Sequence, residues 1–158
     1  MRIELIDPFL SNTLNVIQMM SMTELKAGPP TQRAETTTYG VVTGIVPLTG
    51  TTCNGHMVVS FDAPSILGIV GRMLGESFPD VNNQVADAVG EIANMICGGA
   101  KRDLAQLGVS IGMATPKVVL GENTDLGQLA NTPAVTVPFA TPEGTFVIEA
   151  ALSFPTVS

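Results

Sequence analysis

Charge is scarce in this chain of 158 residues: 13% are Asp, Glu, Lys or Arg, and seven basic against fourteen acidic residues leave a net charge of −7. A chain so poor in cations does not bind a phosphate backbone by counterion release, so nucleic acid is not an expected partner. Histidine is scarcer still, with His56 the single one. A Ser-His-Asp relay would have to run through it, and no Gly-x-Ser-x-Gly elbow is present, which sets a nucleophilic hydrolase aside. The two cysteines, Cys53 and Cys97, form no CxxC pair, and His56 three residues after Cys53 does not complete a zinc site. Both thiols read as small buried hydrophobes, and His56 as a solvent-facing or hydrogen-bonded residue near a turn. No apolar run approaches the roughly 18 residues of a spanning helix. The opening MRIELIDPFL carries acids where a signal peptide has a basic and then an apolar stretch. The expectation is a cytoplasmic protein with no membrane partner.

What is present is an apolar chain, 45% hydrophobic, of the length of one domain spanning 1–158. Its longest helical pattern runs from Val81 to Leu107. At 3.6 residues per turn Val85, Val89, Ile92, Ala93, Ile96, Ala100, Leu104 and Leu107 gather on one side, which is the side to bury. Opposite them Asp87, Glu91 and Asn94 sit at i, i+4 and i+7, continued by Gly98, Lys101 and Arg102. Asp87 reads either as an acid favouring the start of the helix or as a surface contact. Gly98 and Gly99 each cost about 1 kcal/mol in a helix relative to alanine, so something approaches the backbone there, a neighbouring helix or a partner.

Before this helix, Asp7 reads as an N-cap with Pro8 following, opening a helix over DPFLSNTLNVIQMMSMTEL that ends near Gly28. GPPTQRAETT reads as a polar connector. TYGVVTGIVPLTG and TTCNGHMVVSFD read as a hairpin, and Asp62 with Pro64 opens a short helix that closes at Gly75. After Gly108 the period changes. SIGMATPKVVLGE, TPAVTVPFAT and GTFVIEAALSF read as strands, ENTDLGQLANT as a loop, and Pro116 as a strand, edge or bulge proline. The eight methionines read as core fillers.

Both halves run helix then strands, which reads as an internal αββ duplication. Four and seven residues beyond Asp7 stand Ser11 and Leu14, so the acid and amide occur together only in the second half. The expected fold is an α/β (α+β) single domain with two long helices on a mostly antiparallel sheet. Its first half, about 1–62, is degenerate, and the active half is about 81–158.

The pattern Asp87-x3-Glu91-x2-Asn94, followed after 21 residues by Pro116, resembles the signature of the CheC/CheX/FliY phosphatases of bacterial chemotaxis. The interval to Pro116 is one residue short of the family's. The local text VGEIANMICGGAK, the chain length and the single intact copy resemble the CheX branch most. The resemblance implies hydrolysis of the phosphoryl-aspartate of a CheY-like response regulator. Asn94 would position the water, and Glu91 would pair with the receiver's active-site lysine. Asp87, Gly98, Lys101 and Pro116 would help to dock the partner. It implies no cofactor of the chain's own, with Mg2+ supplied by the phosphorylated receiver, and a homodimer. An amide carbonyl and NH2 suit that task, because they hold a water in line while the activation comes from elsewhere. The alternative is a non-catalytic module that binds a receiver or a flagellar-switch protein. A metal-dependent hydrolase of a small molecule lacks the ligands it would need.

Overall fold

The structure, a computed structural model, describes residues 5–33, 38–50, 53–122, 124–127, 129 and 133–154. Among these residues three α-helices, α1 (Asp7–Ser21), α2 (Ala63–Leu74) and α3 (Asn83–Gln106), pack on one eight-stranded sheet. Its strands are β1 (Lys26–Ala27), β2 (Thr31–Gln32), β3 (Val42–Thr49), β4 (Asn54–Phe61), β5 (Gly112–Met113), β6 (Lys117–Leu120), β7 (Val135–Ala140) and β8 (Thr145–Ser153). The spatial order is β1–β7–β8–β4–β3–β5, with β2 also on β7 and β6 also on β3, and every pairing is antiparallel. That order is the same from either end. The hairpins β3–β4 and β7–β8 meet at the central β4–β8 pair, and each outer strand is edged by the short strands that follow the other half's helix.

Alternation explains why the helices sit on one face. Val42, Val46 and Leu48 of β3, Met57, Val59 and Phe61 of β4, and Phe146, Ile148, Ala150 and Leu152 of β8 enter the core beneath them. Phe9 and Ile17 of α1, Ile66 and Ile69 of α2, and the predicted stripe of α3 from Val85 to Leu104 close it from above. Phe146 stacks on Phe139, with ring centroids 5.1 Å apart, and is tilted against Phe61 at 4.9 Å.

The opposite face of the central strands is buried as well, and there Val58 and Ala151 stand among the polar residues His56, Ser60 and Glu149. Glu149 of β8 accepts at Oε2 from Arg33 Nη1 and is joined there by His56 Nε2, both at 2.7 Å. Arg33 Nη2 also donates to the Leu129 carbonyl, and Thr38 N to the Thr124 carbonyl. His56 is therefore hydrogen-bonded, as one of its two readings had it. It lies two residues into β4 beyond the hairpin turn, as read, but it is buried and not solvent-facing.

Several boundaries differ from the sequence reading. Asp7 is the first residue of α1 and not its cap. Ile6 holds the cap position without a side-chain bond, and Pro8 lies in the first turn as expected. The helix stops at Ser21, not near Gly28, because Met22 turns left-handed at φ 53° and its N–H bonds the Gln18 carbonyl. The connector GPPTQRAETT contains β2, and its residues 34–37 lie outside those described. Parts of ENTDLGQLANT, at 123, 128 and 130–132, do so too. The methionines are for the most part core fillers, as read: Met57 is buried and Met20, Met73 and Met113 pack against the core, whereas Met19, Met22 and Met95 are exposed. Leu107 is exposed at the end of α3. The β3–β4 hairpin stands as read. So does α2, with Asp62 Oδ1 accepting from Ser65 N at 2.8 Å and Gly75 left-handed at φ 66°. Among the described residues no helix is long and apolar enough to cross a membrane.

Candidate functional site

The polar stripe of α3 is positioned by three places where a side chain is missing. Gly44 in β3 lets the helix settle on the sheet, since a Cβ there would stand 3.2 Å from Ala93 Cβ and 3.4 Å from Val89 Cγ1. Gly90 does the same toward β6, where Val118 Cγ2 lies 3.3 Å from the space its Cβ would take. Gly99 faces α1, and a Cβ on it would overlap the side chain of Asn12. Asn82 starts the helix, its Oδ1 accepting from Val85 N at 2.9 Å.

With the helix held in this way, Asp87, Glu91 and Asn94 are exposed along its outer flank. Between that flank and β6 runs an open groove of about 620 Å3. Asp87, Glu91 and Asn94 line it from the helix, together with Asn83, Ala86 and Gly90. Thr115, Pro116, Val118 and Leu120 line it from the sheet edge. Pro116 stands in the link just before β6 rather than within a strand, and it shares the groove with the acid and amide. Gly98 and Lys101 do not line it. They continue the same helix face toward its C-terminus, Lys101 about 10 Å along the axis from Asn94.

The two glycines separate. Gly99 is explained by packing on α1, whereas a Cβ on Gly98 would meet nothing within 4 Å, so no internal contact accounts for it. Asp87 does not serve the helix start, because the first turn of α3 contains no acid and the dipole's influence fades beyond that turn. Sequence reasoning missed Gly90, Val118 and Leu120. Their signals were a glycine directly before the acid and a period of two through Pro116, Val118 and Leu120.

Both cysteines are buried in the core, as read, and burial pushes the Cys97 thiol up to about 12 and that of Cys53 upward as well. Neither is poised as a nucleophile. Among the described residues no group of three His, Cys, Asp or Glu could hold a metal ion. The groove offers two carboxylates and two amides on one helix flank. These can bind a cation and orient a small polar molecule, and they do not form a metal cage.

Among the described residues, three helices layer on an antiparallel sheet and place an acid and an amide one turn apart at an open groove. The family model described as chemotaxis phosphatase CheX matches residues 42–140. A CheC-like superfamily protein from Shewanella sp. PV-4 is 35% identical with a TM-score of 0.90, over 97% of this chain and 99% of that one. The chemotaxis protein CheX from Vibrio vulnificus is 36% identical with a TM-score of 0.88, over 95% and 99%. A CheX from Borrelia burgdorferi, solved as a CheX–CheY–BeF3–Mg2+ complex, is 26% identical with a TM-score of 0.78, over 96% and 99%. No curated protein sequence matches. The chain belongs to the CheX family of chemotaxis phosphatases.

Proposed function

We propose that this protein hydrolyses the phosphoryl-aspartate of a CheY-like response regulator. The observation that carries the reading is the gathering of Asp87, Glu91, Asn94 and Pro116 on one open groove, exposed to a docking protein. In the reaction, water oxygen forms a bond to phosphorus and the bond from phosphorus to the aspartyl oxygen breaks. The aspartate carboxylate and inorganic phosphate are released, and the proton passes to solvent. Asn94 holds that water, its carbonyl accepting from it and its NH2 bracing the site, which converts a random encounter into an aligned one. Glu91, one turn earlier, pairs with the receiver's lysine and fixes how deeply Asn94 enters. Asp87 and Pro116 contact the receiver at the rim, and Gly98 and Lys101 extend the docking face along α3.

The groove's donor set does not fit a metal of its own. Mg2+ is proposed to arrive with the receiver, in keeping with the Borrelia complex containing CheY and Mg2+, and there it neutralises phosphoryl charge. We also read the protein as cytoplasmic and homodimeric. Its two halves, about 1–62 and 81–158, are read as pseudo-repeats of which only the second kept the site, a reading supported by the two-ended symmetry of the sheet order.

The test is the lifetime of a phosphorylated CheY-like receiver from the same organism, alone, with this protein and with Asn94→Ala. The wild type is expected to shorten the lifetime, and Asn94→Ala to lose roughly 100-fold of that effect while still binding. Binding by both proteins with no change in lifetime would overturn the reading in favour of a receiver-binding module.

A further inference from the structure

The groove has two unlike walls. On the α3 side Asp87 and Glu91 present two carboxylates, and Asn83 and Asn94 an amide each; on the β6 side Pro116, Val118 and Leu120 present hydrocarbon beside the hydroxyl of Thr115. Val118 and Leu120 share one face by strand geometry, since positions i and i+2 point to the same side, here toward α3, and Pro116 joins them from the link before β6. Gly90 leaves the floor between the walls bare. Leu120 remains 51% exposed, a large apolar side chain at the open end of the groove.

Charge fixes what meets the first wall: a cation opposite Glu91 and Asp87. A segment that brings this cation into the groove in extended form also has to place something opposite hydrocarbon. In extended backbone successive side chains point to opposite sides, so a segment that turns a lysine toward α3 turns the adjacent residue toward β6. We propose that the Pro116–Val118–Leu120 wall seats an aliphatic or proline side chain adjacent in sequence to the receiver's lysine, and that Val118 and Leu120 thereby select which receivers are accepted. This deepens the phosphatase reading and rests on it. Selection of this kind acts on docking, before the water is aligned, so it belongs in KM and not in kcat.

Leu120→Ser is the variant to test, because Leu120 is exposed and its loss leaves the core intact, whereas Val118 packs on Gly90. Steady-state dephosphorylation of the receiver is expected to show KM raised about tenfold with kcat within about twofold, and Leu120→Met is expected to restore KM. Replacing the receiver residue beside its lysine with Asp is expected to raise KM similarly. The two changes together should cost no more than either alone, the mark of a shared contact. An unchanged KM in Leu120→Ser, or full additivity with the receiver variant, would overturn the assignment. So would a change in sedimentation behaviour without a change in KM, which would make Leu120 a contact between copies of this chain. Asn94→Ala, assayed alongside, separates the two claims. If it loses turnover while Leu120→Ser leaves KM unchanged, only the wall assignment falls. If it keeps full turnover, the phosphatase reading falls and this one with it.

Discussion

Asn12 of α1 occupies the space that a side chain on Gly99 of α3 would need, and its Nδ2 donates to the Pro8 carbonyl at 2.7 Å and to Asp103 Oδ2 at 2.8 Å. The two helices can approach here only because one of them has no Cβ. This contact and the Gly44 and Gly90 contacts on the sheet side fix how the Glu91–Asn94 flank stands at the groove.

Adjacent glycines are therefore expected to respond in opposite directions. Gly99→Ala forces Asn12 aside and should lose about 1–3 kcal/mol in urea unfolding. Gly98→Ala meets open space and should gain about 0.5–1 kcal/mol from helix propensity. If Gly98 belongs to the docking face, that more stable variant binds the receiver less tightly. Equal stability effects at the two positions would contradict the packing described.

Glu149 joins Arg33 and His56 on the buried polar face, with side-chain exposures of 6%, 7% and 1%. Glu149→Ala removes an acceptor shared by two nitrogen donors in a place water does not reach. The expected loss is about 3–5 kcal/mol, measured as a lower urea midpoint at unchanged slope. A loss below about 1 kcal/mol would show the face to be solvated.

Arg72 of α2 grips Glu143 in the β7–β8 turn with two bonds, of 2.7 and 2.8 Å. That hydrogen bonding holds the Glu143 carboxyl below its ordinary range. The unfolded chain thus takes up this proton at higher pH than the folded one. The pair's contribution is full above the unfolded value and is lost as pH falls through the lowered folded value. Both side chains are about a third exposed, so the whole effect is at most about 1 kcal/mol. Glu143→Gln should lower stability slightly at neutral pH and converge with the wild type in acid, where the wild-type carboxyl is itself neutral, as read by urea titrations at several pH values.

Cys97 should resist thiol reagents in the folded protein. With its thiol pushed up to about 12 by burial, the thiolate fraction at pH 8 is roughly a thousandfold below that of an ordinary cysteine, before access is considered. Labelling with a chromogenic disulfide is expected to follow global unfolding and to reach two thiols per chain only in denaturant. Fast native labelling at Cys97 would show a local opening of α3.

The sequence by itself determined those elements whose period and caps were unambiguous: the α3 stripe, α2 between Asp62 and Gly75, the β3–β4 hairpin, and the exposed run of Asp87, Glu91 and Asn94. Helical spacing alone places those three on one face, so the acid and amide of the site were legible without coordinates. The sequence did not reach features that depend on distant partners. His56 became buried because Glu149, 93 residues away, supplied its acceptor. The end of α1 was set by a left-handed Met22, a residue with no helix-stopping signature. Gly98 and Gly99 look equivalent in a helical pattern, and only the position of Asn12 distinguishes them. The groove is tertiary in the same sense. Pro116, Val118 and Leu120 meet the α3 flank because β6 pairs with β3, a long-range register between Val42 and Leu120 that local patterning does not encode. Local physics set the exposed flank of acid and amide, and long-range pairing built the wall beside it.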